Sequence, residues 1–216
     1  DPAGIPGLSV RRDGKVMAGP PASPISLADL APPDYAGLDL DRYPRRCLPV
    51  RTRRTCPWGR RTFCHHLSAG GQSTEDGLPA AEIARRMAGL SAEYDVHEFE
   101  LANLATPRIE LLALARAIGD LGLDVRWGSL ARIEAGYDAA TFRELDASGC
   151  GELGMGLESV SPVDLGQMHK GIEVDTLRCL LRARRGTDVG VALFVLNLPG
   201  QSPEDLRATL DFCERH

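Results

Sequence analysis

The chain has 216 residues, 43% of them hydrophobic and 25% charged, with a formal net charge of -5. That is the make-up of a water-soluble domain with room for a core, and its acidic balance argues against general nucleic-acid binding. No apolar run approaches the length that spans a bilayer, and DPAGIPGLSV lacks the basic start and apolar core of a signal peptide.

Residues 1–46 are rich in Pro and Gly, with short hydrophobic pieces between. They read as an extended linker. Asp13-Gly14, between LSVRR and KVMAG, predicts a small hairpin. From residue 47 to 216 a strand–helix rhythm takes over. CLPVRTRR reads as a strand. Residues 79–94 read as a helix with Ile83, Met87 and Leu90 on one face. VHEFEL is a strand, and 106–121 a helix with Thr106 as N-cap and Pro107 in its first turn. DVRWGSLARI is a strand, and 138–148 a helix capped by Asp138 and stopped by Gly149. GELGMGLESV is a strand, followed by a helix over about 174–185. DVGVALFVLNLPG is a strand, and the last helix starts at Ser202-Pro203 with Glu204 and Asp205 in its first turn. Five such units in series imply an α/β fold with a parallel sheet, right-handed crossovers and an open edge where a partner would fit.

Chemistry in such folds gathers at the C-terminal ends of the strands. Read in order, those ends carry Cys56 and Cys64, then Glu100-Leu101-Ala102-Asn103, then Arg132 and Glu134, then Glu158 and Ser159, then Asn197 and Gly200. The six cysteines are too sparse for a disulfide framework and imply a reducing, cytoplasmic setting. Cys150, Cys179 and Cys213 read as buried apolar thiols, and Cys47 as structural. Between Arg42 and Arg61 lie eight arginines and no acid, either a solvated basic stretch or a positive rim.

The segments CPWGRRTFCHH (from Cys56), ARIEAGYDAATFRELDASGCGELGMGLESVSPVDLGQMHKGI and NLPGQSPEDLRATLDF together resemble the radical SAM enzymes, in particular the group with a cobalamin-binding domain upstream. IPGLSVRRDGKV and PPDYAGLDLDRY resemble the segment that joins those two domains. The resemblance implies a partial parallel (β/α) barrel with about five of six units present. It implies a 4Fe–4S cluster on Cys56 and Cys64 with a third cysteine, and S-adenosylmethionine as cofactor. From the cofactor would come a 5′-deoxyadenosyl radical for substrate modification, methyl transfer with cobalamin being one outcome. Glu158, Ser159, Arg132, Asn197 and Gly200 would bind the cofactor. Arg61 stands at the family's middle cysteine, and an arginine neither ligates iron nor loses its charge. The expectation is therefore a degenerate or truncated member that keeps the fold. Two other readings stand beside it: a non-catalytic binding or partner subunit, and a zinc site from Cys56, Cys64 and His65 or His66.

Overall fold

A computed structural model describes residues 4–23, 25–54, 56, 57, 64 and 77–216. The chain divides into two units, residues 1–31 and 32–216. In the first, β1 (Ser9–Arg12) and β2 (Lys15–Ala18) pair antiparallel around Asp13 and Gly14. Both turn residues take positive φ, 50° and 76°. Two left-handed residues give a hairpin turn whose twist matches its strands.

The second unit holds a five-stranded parallel sheet. Its strands are β3 (Cys47–Val50), β4 (Glu98–Thr106), β5 (Arg126–Ala131), β6 (Cys150–Glu158) and β7 (Gly190–Val195), adjacent in chain order. The crossovers carry α1 (Ala80–Tyr94), α2 (Arg108–Asp120), α3 (Ala139–Ala147), α4 (Pro162–Gln167) and α5 (Val174–Ala183), and α6 (Pro203–Arg215) follows β7. This is the parallel α/β sheet expected from the alternation, and it has the form of the partial β/α barrel that the resemblance implies. Before β3, Tyr35 meets Tyr94 of α1 edge-on at 5.8 Å and donates through its hydroxyl to the carbonyl of Pro49 at 2.9 Å.

Period-two alternation separates the two faces of the sheet. Leu48, Val50, Phe99, Leu101, Trp127, Leu153, Met155 and Leu157 are buried on one side. Consecutive right-handed crossovers place the helices there, where Met87, Leu111, Phe142, Leu145 and Leu177 are buried too. Glu100, Gly128, Leu130, Glu152, Gly154 and Gly156 occupy the alternate positions, on the inner face.

Side-chain oxygens start most of the later helices. Asp138 accepts from the amide of Thr141 at 2.7 Å, and Ser202 from that of Asp205 at 3.1 Å. One expectation needs correction. Thr106 does not cap α2: it is the last residue of β4, paired with Ala131, and Pro107 occupies the cap position. A carboxylate from another loop replaces it, as Glu134 Oε1 accepts from the amide of Arg108 at 2.6 Å. The short helix α4 is capped by Ser161 and opened by Pro162.

Gly149 ends α3 at φ 82°. A Cβ there would lie 1.9 Å from the carbonyl oxygen of Val125. Gly149→Ala combines a left-handed strain with that clash and is expected to lower stability by about 2 kcal/mol or more, read as a lower urea midpoint.

Candidate functional site

The C-terminal strand ends share one rim, and its first feature is the root of the cysteine loop. Beyond β3, Arg53 bridges to Gly77, and the amide of Leu78 donates to the carbonyl of Thr52 at 2.8 Å. The chain therefore leaves and re-enters the fold at one point. Asn103, on β4, holds that point. Its Oδ1 accepts from the amides of Thr52 and Arg53 at 3.2 and 3.1 Å. Its Nδ2 donates to the hydroxyls of Thr52 and Thr106, the latter at 3.1 Å. Thr106 Oγ1 lies 2.9 Å from Ser129 Oγ on β5. One buried polar chain thus crosses three strands, and the Arg53 guanidinium pairs with Glu110 of α2. Asn103 was noted in the sequence only as part of a strand end. The single amide inside the apolar run LANLA was the available signal.

Of the loop itself, Cys56 is buried and Cys64 half-buried, and both are free thiols. Arg61, His65 and His66 lie outside the described residues. Among the described residues, no three His, Cys, Asp or Glu side chains are grouped to hold a metal ion. Residues 56–64 hold two cysteines and two arginines, one thiolate short of the three that the resemblance implies for a cluster. Cys150 is buried at the start of β6, and burial pushes its thiol up to about 12, so it stays protonated. Cys179 corrects the sequence reading: it is exposed on α5 rather than buried. Three arginines of the basic stretch make ion pairs among the described residues. Arg45 pairs with Glu98, Arg46 with Asp41 and Asp95, and Arg53 with Glu110.

The second feature lies at the ends of β5, β6 and β7. Glu158 closes β6 with φ 66°. Lys170 Nζ donates to its Oε1 at 2.7 Å, and the two side chains are 11% and 3% exposed. Gly156 makes this geometry available. A Cβ there would lie 2.4 Å from Glu158 Oε1 and 2.7 Å from Lys170 Nζ. Arg132, beyond β5, donates to the carbonyls of Lys170 and Gly171 at 3.2 and 3.3 Å. Glu158 and Arg132 are thus brought together through Lys170, a residue the sequence reading missed. Glu158 Oε2 accepts no hydrogen bond from the described residues.

Ser159 points elsewhere. It is fully buried, and its hydroxyl donates to Asp164 Oδ2 at 2.7 Å. Gln201 Nε2 donates to the same Asp164 oxygen at 2.6 Å, and Thr209 Oγ1 accepts from the amide of Val160 at 3.1 Å. This network ties the end of β6 to the turn after β7. There the amide of Leu196 donates to the carbonyl of Glu158 at 3.2 Å. Asn197 and Gly200 are both exposed, and Gly200 takes φ 84° after Pro199. The amide of Gln201 closes the turn on Leu198 at 3.1 Å. Glycine is required there by the left-handed backbone.

No family model matches the chain. An uncharacterized methyltransferase of Pyrococcus horikoshii is 26% identical over 219 residues, covering 98% of this chain and 47% of that protein. Among solved structures, the radical S-adenosylmethionine methyltransferase TsrM of Kitasatospora setae, with cobalamin and a 4Fe–4S cluster bound, superposes with a TM-score of 0.74. The identity is 18%, over 100% of this chain and 45% of TsrM. The fold is that of the radical SAM enzymes. OxsB, a cobalamin-dependent S-adenosylmethionine radical enzyme solved with aqua-cobalamin and S-adenosylmethionine bound, matches with a TM-score of 0.72 at 16% identity, over 99% of this chain and 32% of OxsB. The chain spans less than half the length of each of these proteins. Among the described residues, no helix of this radical SAM fold is long and apolar enough to cross a membrane.

Two substitutions test the rim. Asn103→Leu leaves the amides of Thr52 and Arg53 without their acceptor and is expected to cost about 3 kcal/mol. It should also speed alkylation of Cys56, followed by mass spectrometry below the unfolding transition. Lys170→Met strands a buried carboxylate and is expected to cost about 3–5 kcal/mol, read by chemical denaturation. Lys170→Arg should recover most of that loss.

Proposed function

We propose that this chain binds S-adenosylmethionine at the rim formed by the ends of β5, β6 and β7, and that it does so without the reductive radical chemistry of the family. The observation that carries the reading is Glu158. Its carboxylate stands at the rim with one oxygen neutralised by Lys170 and the other accepting no hydrogen bond from the described residues. The surrounding fold follows the radical SAM methyltransferase architecture over the whole chain.

A carboxylate held in that state suits a donor group such as the cofactor's ammonium or ribose hydroxyls. Arg132 stands beside it and would meet the cofactor's carboxylate. Asn197 and Gly200 present an amide and a side-chain-free turn, so that backbone can approach the rest of the molecule. Ser159 is assigned a supporting part: through Asp164 and Gln201 it fixes the turn that carries Asn197 and Gly200.

The radical step is withheld because Arg61 occupies the position of a cluster ligand. Methyl transfer with cobalamin belongs to the solved relatives and is proposed only for a whole protein of which this fold is a part. The chain by itself acts as a cofactor-binding subunit, and the open edge beyond β7 is the place for a partner.

Isothermal titration of the purified chain with S-adenosylmethionine is expected to show one site. Glu158→Ala should weaken it by about tenfold or more. Absence of binding in the wild-type chain would overturn the reading. Anaerobic reconstitution with iron and sulfide should yield cluster absorption in Arg61→Cys and none in the parent. A cluster in the parent would refute the proposed loss.

A further inference from the structure

Three glycines on the inner face each let a neighbouring side chain lie across the sheet. Near the start of the strands, a Cβ on Gly128 would sit 2.7 Å from Glu100 Oε2. One layer higher, a Cβ on Gly154 would sit 2.8 Å from Leu130 Cδ2 and 3.0 Å from Phe194 Cε2. At the rim, Gly156 makes room for Glu158 and Lys170. The inner face is therefore layered: a charged floor, an apolar waist and the rim.

The floor opens into a cavity of about 430 Å³. Arg45, Glu98, Glu100, Arg126 and Glu152 line it, three carboxylates against two guanidinium groups. Arg45 is taken by Glu98 at 2.8 Å. Glu100 and Glu152 make no ion pair among the described residues, and burial together with the charge of Glu152 holds the Glu100 carboxyl above its ordinary range. Two carboxylates facing one space with a single remaining cation favour a positive guest. Above them Phe194 is 51% exposed, and its ring and the Leu130 side chain both reach over Gly154. Gly128 and Leu130 are two residues apart on β5, so floor and waist are separated by about 6.6 Å.

We infer that the inner face takes a small amphipathic cation, an aromatic ring against Phe194 and Leu130 with an ammonium group reaching Glu100 and Glu152. An aryl ring carrying an amine on a two-carbon arm spans the step between the layers. The assignment of this guest as the ligand that accompanies the cofactor rests on the rim being the S-adenosylmethionine site, since the inner face lies beneath it. Its recognition needs neither cluster nor cofactor.

The test uses the whole chain and three probes matched in size: 2-phenylethylamine, 2-phenylethanol and phenylacetate. Titration calorimetry is expected to rank the amine about tenfold or more above the acid, with the alcohol between. Phe194→Ala should weaken all three. The double variant Glu100→Gln, Glu152→Gln should lose the discrimination while keeping the parent's melting temperature, because neither side chain is in the core. Equal or tighter binding of phenylacetate, discrimination that survives the double variant, or no effect of Phe194→Ala would overturn the inference. S-adenosylmethionine is titrated into the same samples. Cofactor binding without amine binding sinks the inner-face assignment alone. Amine binding without cofactor binding sinks the rim reading and, with it, the guest's place beside the cofactor.

Discussion

Parallel pairing ends every strand at the same rim, where the last amides and carbonyls run out of neighbours. Asn103 is where this chain meets that demand. Its carboxamide takes the two amides beyond β3 and gives its own protons to Thr52 and Thr106. The link from Thr106 to Ser129 carries the constraint on to β5. The cysteine segment is thereby rooted in the core of the sheet rather than in a surface turn. Such a buried network is stabilising only when every member is satisfied.

A second constraint acts on the inner face. A sheet that curls toward a barrel brings its inner side chains close together, and four of the strand positions there are glycines, Gly128, Gly154, Gly156 and Gly190. The space they leave is filled from the neighbouring strands, or from beyond them in the case of Lys170. The face gains its charged and apolar layers from these borrowed side chains. Glu158, bent out of extended geometry, joins this pattern to the rim.

The helices and strands of this fold were legible because each had a local cause. Asp138 and Ser202 cap where their oxygens reach the first-turn amides, and Gly149 stops α3 because only glycine fits beneath Val125. The failures had long-range causes. Thr106 is a good cap residue by type, but pairing with Ala131 kept it in β4, and Glu134 took over the amide of Arg108 from 26 positions away. Cys179 sits on an amphipathic helix, and its exposure depends on which face α5 presents to the sheet.

By itself the sequence determined the alternation of strands and helices, the parallel order that follows from it, and the presence of Arg60 and Arg61 between Cys56 and Cys64. All three are set by residue type and short-range spacing. Only the tertiary structure decided that Glu158 is matched to Lys170, that Ser159 faces inward to Asp164, and that Glu100 and Phe194 share one face. Those facts depend on which side chains the curl of the sheet brings within a few ångströms. Positions 12 apart along the chain carry no mark of that meeting.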